Sequence, residues 1–215
     1  MADLPPARNW TRRSSLALGA VVLACAAPGC SESALPAAGQ DLEYNAAVIA
    51  AQAARPARLT SSERIAPEDE PGTPLTIRGR AFAADGRTPL AGAVVFAYHT
   101  DRTGVYRARG EPAHTWRLKG WARTDDEGSF EFRTIRPGPY PGGTDAAHVH
   151  LTIFAPDGSA YHAGGILFED DPLVGEAERA ASRDAGAFGD VLPVRREGTA
   201  ERVDVQLRLD PSRRF

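Results

Sequence analysis

From position 75 onward, apolar and polar residues alternate over short runs. The runs 75–82, 92–98, 119–124, 129–133, 148–154, 159–168 and 202–209 each read as a strand. Turn signals separate them: Asp85-Gly86, the run 125–128 and Asp157-Gly158. One stretch departs from this period. Residues 172–182 read as a short helix, with Pro172 at a tolerated early position. Strands at roughly 10- to 15-residue spacing with turns between them predict an all-β fold, an immunoglobulin- or transthyretin-like β-sandwich with one short helix. Upstream the pattern is different. Residues 44–54 could make a short Ala-rich helix, and the remainder of 31–72, rich in Ala, Pro, Ser and Glu, reads as a linker. The expected organisation is a signal segment over 1–30, a linker over 31–72 and a sandwich domain over 73–215.

The first thirty residues read as an export signal. Arg8, Arg12 and Arg13 precede an apolar run over 16–27 that is shorter than the ~20 residues of a membrane span. The Arg12-Arg13 pair resembles a twin-arginine signal. Cys25 and Cys30 each follow small residues, as in a bacterial lipobox, and are candidates for lipidation; plain cleavage is the alternative. An exported protein is expected, periplasmic or membrane-anchored. No cysteine follows Cys30, so the folded body holds no disulfide, thiolate metal site or cysteine nucleophile. The composition, 42% hydrophobic and 25% charged, is that of a globular chain. A net charge of −3 gives no electrostatic drive toward nucleic acid.

Candidate chemistry gathers around His148-Val149-His150. Side chains two apart on a strand share a face, so both imidazoles point the same way. Alone they could equally be surface histidines flanking an inward Val149. The upstream loop adds to them. Pro137, Pro139 and Pro141 surround Tyr140, and three prolines make a stiff loop eight residues before the pair. Tyr106 lies after a predicted strand end. Two phenols and two imidazoles form a coherent donor set for a hard trivalent ion, which stabilises phenolate; zinc would more often use Cys, His or carboxylate. A ferrous site of two histidines and one carboxylate, with Asp145 as the third ligand, is the competing metal reading.

The run 124–141, from Thr124 through Pro137-Gly138-Pro139-Tyr140-Pro141, followed by Ala147-His148-Val149-His150, resembles the intradiol ring-cleavage dioxygenases. The likeness extends over about 75–168. It implies a β-sandwich holding ferric iron, Fe(3+), through Tyr106, Tyr140, His148 and His150, with Tyr106 and His150 equatorial and Tyr140 and His148 axial. It further implies a catecholic substrate, O2 as co-substrate, Tyr140 as the internal base, and no organic cofactor. Two departures are visible. Family members usually carry Arg three positions before the first histidine, where this chain has Asp145, and Gly142 replaces a Trp that often follows the Tyr-Pro pair. Arg133 or Arg136 could compensate. The segment 79–95 is also similar to transthyretin-like repeats of non-enzymatic binding modules, so an exported binding module is one alternative reading; an inactive metal-binding relative, suggested by Asp145, is the other.

Overall fold

The computed structural model describes residues 37–107, 110–112, 114–143 and 145–215, with only the backbone described for 37–41. Cys25 and Cys30 lie outside the described residues. Among the described residues, ten strands form two five-stranded sheets. The first runs in the order β1 (Ser62–Arg64), β5 (Ser129–Ile135), β2 (Pro74–Phe82), β10 (Ala200–Arg208), β9 (Arg195–Glu197). The second runs β4 (Leu118–Arg123), β3 (Val94–His99), β6 (His148–Phe154), β7 (Ala160–Phe168), β8 (Val191–Leu192). The sheets face each other across a core in which Ile77, Phe130, Phe132 and Val203 meet Val95, Val149, Leu151 and Ile153. This is the predicted sandwich, and each of the seven predicted strands is found within two residues of its expected ends.

Period-two alternation explains what the second sheet does with its other face. On β6, Val149, Leu151 and Ile153 enter the core, so His148, His150, Thr152 and Phe154 turn outward. On β3, Val95 and Ala97 face in while Val94, Phe96 and Tyr98 face out. Yet every residue of β3 is buried. The outer face is covered by α1 (Ala37–Ala53), through Tyr44, Ala47, Val48 and Ala51, and by Trp116.

That cover corrects the expected linker. The stretch 31–72 holds a 17-residue helix in place of the short one expected over 44–54, and Val48 within it has no exposed surface. It also holds β1, paired in parallel with β5, and it sends Ile65 and Ala66 into the main core. The second helix, α2 (Glu176–Ala185), is the short one predicted near 172–182. Among the described residues the fold therefore carries two α-helices. The first of them packs on the outer face of the second sheet, its Tyr44 hydroxyl bonded to that of Tyr98.

Candidate metal centre

Four side chains meet on the outer face of the second sheet. Tyr106 Oη lies 2.6 Å from Tyr140 Oη and 2.8 Å from His150 Nε2. Tyr140 Oη lies 2.7 Å from His148 Nε2 and 3.4 Å from His150 Nε2. The two Nε2 atoms are 2.9 Å apart. Around an ion held at about 2.0–2.1 Å, donors at right angles stand about 2.9 Å apart and tetrahedral donors about 3.3 Å apart. The five separations bracket these edge lengths, so the four atoms fit the shell of one first-row ion. Two phenol oxygens with two imidazole nitrogens form a hard set suited to a trivalent ion. The protonation pattern agrees. His148 Nδ1 lies 2.7 Å from the Ala146 carbonyl oxygen, which can only accept, so Nδ1 carries a proton and Nε2 is the ring nitrogen that faces the cluster.

Each donor arrives by a different route. His148 and His150 share the outer face of β6, and the register against β7 shifts just after His150, a bulge of the kind that re-aims side chains beside functional sites. Tyr140 and Tyr106 come from two loops that dock backbone to backbone. The Gly138 N–H donates to the Asp101 carbonyl (2.8 Å), and Thr100 Oγ1 donates to the Gly138 carbonyl (2.8 Å). Gly104, at φ +83°, lies so close to the other loop that a Cβ there would stand 1.9 Å from the Pro139 carbonyl oxygen. The Asp101 carboxylate caps its own turn by accepting from Thr103 and Val105 N–H. Arg117 donates its backbone N–H to the Tyr106 carbonyl while its guanidinium pairs with Glu70 at 2.6 and 2.7 Å.

Behind the donors stands an aromatic wall that sequence reasoning passed over. The Tyr98 ring stacks on His150, with centroids 4.5 Å apart, and on Trp116 at 4.1 Å. The Tyr98 and Tyr44 hydroxyls hydrogen-bond at 3.0 Å. Burial raises the pKa of both phenols, for Tyr98 well above its ordinary value with the neighbouring phenols adding to the effect, so this pair stays neutral. The signal for Tyr98 was the outward period of β3, but nothing local paired it with a helix 54 residues upstream. His162 stacks on Tyr44 and Phe215, His114 meets Tyr44 edge-on and Trp116 at a tilt, and Tyr161 bridges to Arg214. His99 is buried on the opposite side, between the Thr100 carbonyl and Thr134 Oγ1.

Three expectations are corrected. Asp145 is exposed, and no cluster of three His, Asp or Glu donors forms among the described residues, so the two-histidine, one-carboxylate site has no third ligand there. Arg136 does not face the donors. It pairs with Asp170 and Glu201 and lies over the Phe168 ring at 4.5 Å. Arg133 extends from the first sheet to Ser62 and Glu131.

A β-sandwich whose outer face brings two tyrosines and two histidines to one point defines the class. The family model described as Dioxygenase matches residues 48–192, and the chain belongs to the intradiol ring-cleavage dioxygenase family. It is 30% identical over 131 residues to catechol 1,2-dioxygenase 2 of Acinetobacter lwoffii, covering 54% of this chain and 47% of that protein. It is 29% identical over 167 residues to the chlorocatechol 1,2-dioxygenase of Pseudomonas sp. (strain P51), covering 68% and 62%. The chain thus spans about half to three fifths of the length of these relatives. Among solved structures, the dioxygenase domain of a dioxygenase carbohydrate-binding protein fusion from Streptomyces sp. SirexAA-E superposes with a TM-score of 0.53 at 26% identity, over 69% of this chain and 89% of that one. The 3-chlorocatechol 1,2-dioxygenase of Rhodococcus opacus 1CP shares the fold, with a TM-score of 0.54 at 22% identity, over 71% and 66%.

Proposed function

We propose that this chain is a ferric intradiol dioxygenase. It would cleave a catecholic ring between its two hydroxyl-bearing carbons and insert both atoms of O2 to give a muconate-type diacid. The observation that carries this reading is the convergence of Tyr106 Oη, Tyr140 Oη, His148 Nε2 and His150 Nε2 within 3.4 Å of one another along five contacts. The same convergence disfavours the binding-module alternative, which needs no such cluster.

Ferric iron would be held by Tyr106, Tyr140, His148 and His150, and when bound would supply Lewis acidity and a template for a catechol. The protein's part is proton handling and shape. Tyr140 Oη would be the base that takes a substrate hydroxyl proton. Tyr140 and His148 are buried, whereas Tyr106 and His150 are half-buried, so substrate approaches from the Tyr106–His150 side. The wall of Tyr98, Trp116 and Tyr44 excludes water behind His150 and fixes its ring. With Arg133 and Arg136 both paired elsewhere, neither guanidinium is directed at a substrate carboxylate, and uncarboxylated or larger catechols suit the site better than protocatechuate. We also place the enzyme outside the cytoplasm, on the reading of residues 1–30.

The test is the visible spectrum of iron-loaded protein before and after catechol under nitrogen, followed by O2. A red-brown phenolate-to-iron band that shifts with catechol, then one O2 consumed per diacid formed, is expected. A colourless protein that retains no iron overturns the proposal. Strong preference for protocatechuate overturns the substrate assignment alone.

A further inference from the structure

The peptide group between Ala146 and Ala147 is held from both sides. Its C=O accepts from His148 Nδ1–H at 2.7 Å, and its N–H donates to Asp171 Oδ2 at 2.9 Å. The other carboxylate oxygen, Oδ1, accepts from Leu173 N–H at 2.9 Å. Asp171 is itself fixed in a turn, its N–H donating to the Phe168 carbonyl and its carbonyl accepting from Val174 N–H. All of this is dry: Ala146, Ala147, His148 and Asp171 are each no more than 7% exposed. A buried carboxylate needs strong partners, and here both oxygens have one.

We propose that Asp171 is a positioning residue for His148, acting through the 146–147 peptide. In many metal sites a carboxylate accepts directly from the ligand imidazole and so fixes its tautomer and ring orientation. Here one peptide group stands between the two. The carboxylate pins and polarises the peptide N–H, which strengthens the carbonyl as an acceptor and holds the proton on His148 Nδ1. Nε2 is thereby left as a lone-pair donor facing Tyr140 and His150. The arrangement calls for a carboxylate, because both oxygens accept. An amide has one acceptor, and its NH2 would confront the other N–H. The metal-affinity consequence rests on the ferric reading above; the tautomer does not.

The test uses 15N-labelled full-length protein at pH 7.5. In the metal-free wild type, long-range 1H–15N correlation spectra should show His148 with Nδ1 protonated and Nε2 bare. In Asp171→Asn, His148 should become a mixture of tautomers. Iron-loaded Asp171→Asn should lose iron to EDTA 10- to 100-fold more readily than wild type at equilibrium, the affinity range for such supporting partners. Asp171→Glu, which keeps two acceptors, should recover part of the retention. A purely structural role for Asp171 would lower thermal stability without moving the tautomer. The proposal is overturned if Asp171→Asn keeps a single Nδ1–H tautomer and loses iron within twofold of wild type. Should that variant not fold, a wild-type His148 protonated on Nε2 overturns it equally. A protein that takes up no iron, with the Nδ1–H tautomer present and sensitive to Asp171, would refute the ferric reading while leaving this positioning intact.

Discussion

His99 gives a sharp prediction about acid stability. Its ring has no exposed surface; Nδ1 donates to the Thr100 carbonyl at 2.7 Å, and Nε2 accepts from Thr134 Oγ1 at 2.6 Å. Burial lowers its pKa from 6.5 to about 4, with Arg117 pushing the same way and the Thr100 carbonyl, Glu70 and Asp101 opposing. In the unfolded chain the ring takes a proton near pH 6.5; in the folded protein it resists one until about pH 4. Between these values the unfolded state binds more protons, so the stability that neutral His99 contributes is complete above pH 6.5 and is lost as pH falls toward 4. A gap of this size corresponds to roughly 3 kcal/mol, of which about 2.5 kcal/mol is lost between pH 7 and pH 4.5. Other groups also titrate there, so the quantity to measure is a difference. Urea unfolding of wild type and His99→Gln at pH 7, 5.5 and 4.5 isolates it. The stability advantage of wild type over the variant should shrink by about 1 kcal/mol at pH 5.5 and about 2.5 kcal/mol at pH 4.5. An advantage that stays constant within about 0.5 kcal/mol across the range would refute the assignment of a buried, neutral His99. The consequence reaches the site, because the neighbouring Thr100 hydroxyl and Thr134 brace the loop that carries Tyr140.

Gly104→Ala puts a Cβ 1.9 Å from the Pro139 carbonyl oxygen at positive φ, so it should force the two tyrosine loops apart. It should lower stability by about 1–3 kcal/mol and abolish the phenolate-to-iron band, read by denaturation and visible absorption. Gly79→Ala drives a Cβ into the ring of its cross-strand neighbour Phe130, 1.9 Å away within the first sheet; it should cost about 1–3 kcal/mol while the iron band of the folded fraction keeps its wavelength. Tyr98→Phe keeps the stack on His150 and loses only the bond to Tyr44, so it should cost about 1 kcal/mol and leave iron uptake unchanged, whereas Tyr106→Phe should remove the band or shift it strongly. Lipidation through the N-terminal segment predicts that fatty-acid label enters the protein in bacteria and is lost in Cys25→Ala or in Cys30→Ala, whichever is the acceptor.

What local sequence could establish here is what has a local period. Alternation along 148–154 put Val149, Leu151 and Ile153 on one face and both histidines on the other, because a strand leaves no other choice. Proline chemistry announced a stiff loop around Tyr140, and the order of strands and turns announced a sandwich. The rest depends on pairs far apart in the chain. The three residues of β1 have no strand signal of their own and are extended because β5 offers them a parallel partner. An Ala-rich segment that composition marks as a tether becomes a helix packed on the second sheet, since Tyr44 and Val48 can bury themselves on the outward face of β3 and β6. Tyr106 reaches Tyr140 only because Gly104 and Gly138 let two backbones touch, and Asp171 supports His148 across a peptide that carries no side-chain signal at all. Periodicity decides which way a side chain faces; only the closed packing of the sheets, loops and helix decides what it meets there.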